Sequence, residues 1–348
     1  MKTNKITKYF IIVLNLILLI CFSINTNHTF CLQTYTGEIE HLNINGILSF
    51  PSVLSENNYL TKELESKYIT PSEFKKILAS LNANNYILIK LSDCYEQTSN
   101  GIVKKNIILP KGKKPVILSI NDVEYGKSGM VNKLIIQEDN TISSYTSKRS
   151  INDRIHNDKE FITILNEFVT KHPGFSHNNA KGLICVSGSN GILGYKTQKS
   201  NANSKFQIKN CIEVVNALKD TGWEFCAKSY NKQSLSSSNL DYASALNTWN
   251  NNVKNIIGST NCFYLDDSLA DKTEIDYKCE LLLNNNFNLI LNSSFENSFE
   301  FDTNFNNNAL VMNVKKISGE TLKSHRSSFL NMFDSEILYD RLNRNISF

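Results

Sequence analysis

The sequence is poor in proline and glycine, with five Pro and 14 Gly among 348 residues. It has no stretch rich in Pro, Gly or Ser that would mark a linker, and no internal repeat. A chain of this length is ample for one large α/β domain or for two small ones. The missing linker favours a single domain.

The sequence also lacks a strong excess of charge of one sign. Lys and Arg number 37 and Asp and Glu 33, for a net charge of +4. Residues 1–24 hold three Lys and no acid, so subtracting them leaves +1. Such a weak charge argues against a nucleic-acid partner and favours neutral or mixed-charge partners.

The eight cysteines form no CxxC pair, so the sequence supports no assignment of a disulfide. Cys185, Cys226 and Cys262 lie in apolar runs that are typical of strands. Free cysteine is among the most buried residue types. We therefore expect these three to be buried free thiols.

The N-terminus has the pattern of an export signal. Lys2, Lys5 and Lys8 precede an apolar run of 16 residues, Tyr9–Ile24. A helix that spans a membrane needs about 20 such residues, whereas a signal peptide needs fewer. We predict that residues 1–30 are a signal peptide or a membrane anchor, and that residues 31–348 form one exported domain, either secreted or anchored.

Predicted strands alternate with predicted helices over most of the chain, which favours a (β/α) barrel. Thr70-Pro-Ser-Glu73 is a capping box that opens a helix. Leu134–Tyr145 is predicted to be an inserted hairpin. The remaining expectations concern the two ends of the domain: an exposed lead-in over 25–43, a first strand over Asn45–Phe50 and a closing helix over Ser328–Tyr339.

Two predicted strands run directly into polar residues. Val116–Ile120 is followed by Asn121-Asp122, and Trp223–Ala227 is followed by Lys228-Ser-Tyr-Asn-Lys232. Parallel barrels present their catalytic groups at these carboxyl ends of strands. The two positions therefore predict a common site.

Several segments together resemble the polysaccharide deacetylases with a NodB-homology domain, in particular the exported deacetylase-like proteins of Gram-positive bacteria. The resemblance runs from about Leu42 to about Asp340 and depends on the order and spacing of the segments. They are Thr70–Leu78, Leu109–Val123, His172–Ser176, Ala180–Ile184, Gly188–Tyr195, Gly222–Phe225, Phe333-Asp334 and Leu338–Asp340.

The resemblance implies a deformed (β/α) barrel that removes acetyl groups from N-acetylated sugars with a divalent metal, which polarises the amide carbonyl and activates water. In the family an Asp-Asp pair supplies the general base and one ligand, and His-x-x-x-His supplies two further ligands. Here Asn121 stands at the base position, and Asp122 keeps the ligand type. Lys228 and Lys232 replace both imidazoles.

These replacements oppose the chemistry of the family. An amide does not accept a proton at neutral pH, and a positioned base is worth roughly 10²–10⁴-fold in rate. A charged ammonium has no lone pair for a metal. At about 4 Å from a cation and an effective dielectric near 20, each ammonium would cost roughly 4 kcal/mol. We therefore expect no cofactor, and we hypothesise that Lys228 substitutes for the metal's charge beside Asp122.

Three functions stay open. The first is an exported, catalytically inactive deacetylase-like protein that binds cell-wall or other N-acetylated glycan, with Tyr125 and Tyr230 stacking on sugar rings. The second is an active, metal-dependent carbohydrate N-deacetylase with a relocated site. The third is a structural or interaction protein of the envelope. The replaced residues favour the first and the third, so whether the chain is an enzyme is left open.

Other candidate sites are weaker. Gly188–Gly194 superficially resembles a phosphate-binding loop, but a structural turn is the better interpretation, because no Lys-Ser/Thr follows it. Ser187 lacks a nucleophile elbow. Asp266, Asp267 and Asp271 are interpreted as a solvated acidic loop rather than a calcium site.

Overall fold

The computed structural model describes residues 31–53, 59–99, 101–121, 123–147, 149–232, 237–265, 272–293, 302–305 and 309–340. Residues 1–30, the candidate signal or anchor, lie outside this part. No helix among the described residues combines the length and the apolar character that crossing a membrane requires.

Strands and helices largely alternate from residue 161 onward, as the sequence predicts, whereas the described residues between 86 and 156 form eight strands with no α-helix between them. The strands are β1 (Leu32–Tyr35), β2 (Glu40–Ile44), β3 (Tyr86–Leu88), β4 (Tyr95–Thr98), β5 (Gly101–Lys104), β6 (Ile107–Pro110), β7 (Lys114–Ile120), β8 (Lys133–Ile136), β9 (Ile142–Tyr145), β10 (Ile155–His156), β11 (Leu183–Val186), β12 (Glu224–Lys228), β13 (Cys262–Leu265), β14 (Leu289–Ser293), β15 (Asp302–Phe305) and β16 (Ala309–Ile317). The helices are α1 (Tyr59–Lys67), α2 (Pro71–Ala83), α3 (Phe161–Lys171), α4 (Ser204–Asp220), α5 (Asn239–Asn252), α6 (Lys254–Ile257), α7 (Lys272–Asn284), α8 (Gly319–Ser324) and α9 (Ser335–Leu338).

Seven parallel strands close into a barrel in the order β11-β12-β13-β14-β16-β2-β7, with β7 returning to β11. The closure is deformed, because two strands share one edge of β7. β3 pairs with residues 114–116 of β7, whereas β11 pairs with Ser119 and Ile120. The structure thus confirms the deformed (β/α) barrel that the resemblance implies.

Side chains that alternate along each barrel strand form two hydrophobic cores, an outer one between the strands and the helices and an inner one inside the barrel. Outward side chains such as Leu42, Leu118 and Ile184 pack against the helices. Inward side chains such as Leu289 and Met312 fill the barrel. Because successive strand residues point to opposite faces, each barrel strand contributes to both cores.

Three cysteines stand side by side inside the barrel. Cys185 pairs in register with Cys226 on the neighbouring strand. Cys262 follows on the next strand, with its sulfur 3.1 Å from that of Cys226. All three are buried free thiols, as predicted. Burial raises the pKa of Cys226 well above that of an exposed thiol and also raises the pKa of Cys262.

Short-range sequence patterns correctly predicted the start of α2 and the β8–β9 hairpin. The Thr70 hydroxyl accepts a hydrogen bond from the Glu73 amide, and the Glu73 carboxylate accepts one from the Thr70 amide, so the predicted capping box opens α2. β8 and β9 pair antiparallel as the predicted hairpin. The turn between them contains Asn140 in the left-handed region, at φ 65°.

The expectations for both ends of the domain were wrong. Part of the supposed lead-in is β2, a central barrel strand whose polar His41 and Asn43 face the interior. Residues 45–50 follow that strand instead of forming one. The closing helix is broken, because the Asp334 carboxylate binds Arg326 and caps a separate short helix, α9.

Candidate functional site

Polar side chains of β2 and β7 form a chain of hydrogen bonds inside the barrel, which we call the ladder. It extends toward the carboxyl ends of both strands and consists of His41, Ser119, Asn43 and Asn121. His41 Nε2 lies 2.9 Å from Ser119 Oγ, and Asn43 Nδ2 donates to the same oxygen at 2.7 Å. Asn43 Nδ2 also donates to Asn121 Oδ1 at 3.1 Å. Burial lowers the pKa of His41 to about 3, so the ladder is uncharged at neutral pH.

Asn121 forms the upper end of this ladder. It follows β7 directly, is 5% exposed, and its backbone amide donates to the Ile44 carbonyl at 3.0 Å. Because its side-chain oxygen accepts from Asn43, Asn121 is held as a neutral acceptor, and its correspondence to the base position stays a prediction. The neighbouring Asp122 lies outside the described residues, so its proposed pairing with Lys228 stays a prediction.

Lys228 and Lys232 both lie at the end of the barrel that is formed by the carboxyl ends of the strands, which we call the mouth. Lys228 ends β12, is 4% exposed, and places its ammonium 5.6 Å from the centre of the Tyr264 ring. Asn231 and Lys232 then adopt left-handed φ values of 58° and 54°. This backbone conformation is uncommon outside glycine. The turn brings Lys232 Nζ within 3.2 Å of Glu124 Oε2.

Glu124 is the central carboxylate among the described residues of the site. It is 5% exposed, accepts from Ser187 Oγ at 2.8 Å and from Asn190 Nδ2 at 3.0 Å, and forms the ion pair with Lys232. A buried carboxylate requires such partners. Sequence analysis missed Glu124, although an acid two residues beyond the Asn121-Asp122 pair was a usable signal.

The glycine-rich segment after β11 is a tight structural turn, as predicted. Gly188 has φ 84°, and a Cβ there would meet Val253 Cγ2 at 2.3 Å, so only glycine fits. Gly188 and Gly191 form an isolated antiparallel bridge. Ser187 precedes this turn and Asn190 lies within it, and both of them donate hydrogen bonds to Glu124.

The two tyrosines proposed for glycan stacking differ in accessibility. Tyr125 is 7% exposed, and its hydroxyl donates to Glu160 at 2.6 Å, so little of its ring is presented to a ligand. Tyr230 is partly buried and packs against the outer core. The stacking role stays a prediction. Asp266, Asp267 and Asp271 lie outside the described residues.

A cavity of about 440 Å³ opens at the mouth, where Lys232 of the ion pair is one of its lining residues. It is bounded by the ends of β2, β12 and β16 and by α1 and α8. Its lining side chains are polar or charged throughout: Asn45, Glu63, Ser66, Lys67, Lys228, Lys232, Lys316, Ser318 and Glu320.

The described side chains at the mouth do not form a donor set for a divalent metal. Lys228 and Lys232, which the resemblance predicts to stand at two metal-ligand positions, carry ammonium groups, which have no lone pair to donate. Glu124, a buried carboxylate at the mouth, already pairs with Lys232. The described residues contain no group of three His, Cys, Asp or Glu side chains placed to bind a metal ion.

Comparison with known proteins gives no assignment of family. No protein-family model matches the chain, and no curated protein matches it. Among solved structures, the chain is similar to the Streptococcus pyogenes deacetylase PplD in complex with acetate. The two share 12% identity at a TM-score of 0.44, covering 82% of this chain and 95% of that one. A similarity of this size supports no statement about activity.

Proposed function

We propose that the protein is an exported polysaccharide deacetylase-like protein that is catalytically inactive and binds cell-wall glycan at the mouth of its barrel. The observation that supports this most directly is the Lys232–Glu124 ion pair at 3.2 Å, which joins one of the two replaced imidazole positions to a buried carboxylate. The mouth is thereby stabilised by the chain's own charges.

The chemistry at Asn121 supports the same proposal. Deacetylation requires a base that removes a proton from the attacking water. Asn121 offers an amide oxygen that already accepts from Asn43, and an amide does not become protonated at neutral pH. The position therefore holds a hydrogen-bonding group without the basicity that the reaction needs.

Export and glycan binding are the remaining parts of the proposal. Export is supported by the basic and apolar sequence of residues 1–24. Glycan binding is supported by the retained barrel and by its open polar cavity, since parallel barrels bind their ligands at the carboxyl ends of the strands. The proposed partners are a cell-wall or other N-acetylated polysaccharide and, through the N-terminal segment, the membrane.

Acetate release tests the proposed inactivity. Purified protein would be incubated with N-acetylglucosamine oligomers and with peptidoglycan, in the presence of zinc, cobalt or nickel. We expect no acetate above the level without protein. Release that a chelator abolishes would establish the active-enzyme alternative. The matched variant Asn121→Asp/Lys228→His/Lys232→His restores the family's residues, and a gain of zinc binding there would show that these positions correspond to the ligand site.

Sedimentation with insoluble peptidoglycan and with chitin tests glycan binding. Retention in the pellet, reversed by soluble oligomers, is the expected result. A protein that stays in the supernatant with both polymers would support the envelope-interaction alternative instead.

A further inference from the structure

Three thiols stand in a row on neighbouring strands inside the barrel. Cys185, Cys226 and Cys262 lie on β11, β12 and β13, so that Cys226 is the middle one. The sulfur of Cys226 lies 3.1 Å from that of Cys262. Both residues are buried, which shields their sulfurs from water and from other reagents in the folded barrel. The nearest reaction partner of each of these two thiols is therefore the other one.

The backbone of β12 and β13 suits a covalent bond between these two cysteines. The strands are parallel neighbours with Ala227 opposite Phe263, so Cys226 and Cys262 are opposite each other one residue earlier. Neighbouring strands lie about 4.8 Å apart, and disulfides join Cα atoms that are about 4.4–6.8 Å apart. From their distance of 3.1 Å, the sulfurs need to approach by only about 1 Å to reach the length of an S–S bond. The bond can therefore form without a rearrangement of the strands.

We propose that Cys226 and Cys262 form a disulfide between β12 and β13 when the chain folds under oxidising conditions, and that Cys185 stays a thiol. The structure describes the reduced form of this pair. The inference goes beyond the proposed function and rests on it only for export, because exported proteins fold in compartments where disulfides form and persist. The bond ties β12, which ends with Lys228 at the mouth, to the neighbouring strand.

Exchange with a small disulfide, such as oxidised glutathione, supplies the oxidation. The thiolate of one cysteine attacks that disulfide, which gives a mixed disulfide and releases one glutathione thiol. The thiolate of the other cysteine then attacks the protein sulfur of the mixed disulfide, which forms the Cys226–Cys262 bond and releases the second glutathione thiol. The two protons of the protein thiols pass through water to the two glutathione molecules. Because both cysteines are buried in the folded barrel, the exchange takes place before the barrel closes.

Disulfide mapping after oxidative refolding tests the proposal. The full-length protein is unfolded in urea with a reductant and refolded in reduced and oxidised glutathione, and the free thiols of the monomeric fraction are then alkylated in denaturant. Trypsin, which cuts after Lys and Arg, places Cys185, Cys226 and Cys262 on separate peptides, 182–196, 220–228 and 255–272. We expect peptides 220–228 and 255–272 to be linked in most molecules. Alkylation of both cysteines, or a link from Cys226 to Cys185, would overturn the proposal.

Cys226→Ser and Cys185→Ser provide matched variants, because each removes one buried thiol from the same row. Refolding in glutathione should raise the melting temperature of the natural sequence by about 5–10 °C relative to refolding in reductant, since the bond closes a loop around residues 227–261. Cys185→Ser should keep this difference and Cys226→Ser should lose it; an equal rise in both variants would overturn the proposal. If Cys226→Ser does not fold, Cys262→Ser takes its place.

The disulfide and the proposed function fail separately. Mapping on purified protein requires no export, whereas export is measured by fractionation of cells that produce the full-length chain. A protein that is exported but refolds in glutathione with both thiols free would overturn the disulfide alone.

Discussion

Replacing Lys232 with Met tests whether the ion pair stabilises the barrel mouth. The Nζ–Oε2 distance of 3.2 Å corresponds to a gross attraction of about 5 kcal/mol at an effective dielectric of 20. The Lys232 side chain is 34% exposed, so water screens much of this attraction. Because the substitution also leaves the buried Glu124 without its cation, we expect unfolding free energy to fall by about 1–2 kcal/mol.

Urea unfolding followed by tryptophan fluorescence measures this change, since Trp223 and Trp249 are both buried and report on the barrel. Lys171→Met is the control, because Lys171 forms an exposed pair with Glu167 on α3. An exposed pair at this spacing is worth about 0.3–0.5 kcal/mol.

A double-mutant cycle with Glu124→Gln separates the pair from other effects of the lysine. The double variant should be more stable than the sum of the single losses predicts, by about 1 kcal/mol. If Lys232→Met costs no more than Lys171→Met, or if the cycle shows no coupling, the pair does not stabilise the mouth and our account of the replaced site is wrong.

Further predictions concern stability and thiol reactivity. Burial raises the pKa of Glu160 to about 7 from 4.5, so the folded state binds the proton more tightly than the unfolded state. The contribution of Glu160 to stability should therefore decline between about pH 4.5 and pH 7, and Glu160→Gln should remove up to about 3 kcal/mol of that pH dependence in urea titrations. Thr70→Ala breaks the capping box of α2 and should lower the unfolding free energy by about 1 kcal/mol, measured the same way; a loss below 0.3 kcal/mol would contradict the capping role. Among the described cysteines, only the exposed Cys31 should react with a thiol reagent before unfolding; prompt reaction of the buried thiols would contradict the packing. The buried thiols are Cys94, Cys185, Cys211, Cys226, Cys262 and Cys279.

The sequence predicted those elements whose signals are local. The capping box at Thr70 and the hairpin over Leu134–Tyr145 each depend on a few neighbouring residues, and both are present. The alternation of strands and helices was enough to predict a barrel. Which strand edges meet, and how β3 and β11 share β7, depends on pairings distant in sequence.

β2 shows why a central strand was missed. Its last four residues, His41-Leu-Asn-Ile44, alternate polar and apolar side chains, a pattern typical of a strand with one face in water. Here the polar face points into the barrel, where His41 and Asn43 bind Ser119. Polar side chains from two distant strands bind each other, and a single segment of sequence does not reveal its partner.

The sequence predicted only part of the candidate site, because the other contacts of the site join residues that are distant in sequence. Asn121, Lys228 and Lys232 were identified by resemblance, and all three lie at the carboxyl ends of barrel strands or just beyond them. Glu124 was missed because its role depends on Ser187 and Asn190, which reach it from another strand end. Lys316 was missed because strand alternation becomes informative only once the interior of the barrel is known.

Zinc stoichiometry after dialysis tests the central claim most directly. The purified protein would be dialysed against micromolar zinc, separated from free metal and analysed by mass spectrometry, beside the Asn121→Asp/Lys228→His/Lys232→His variant. Our account predicts far less than one zinc per chain for the natural sequence. One tightly held zinc per chain, lost on substitution of Asp122, would contradict it.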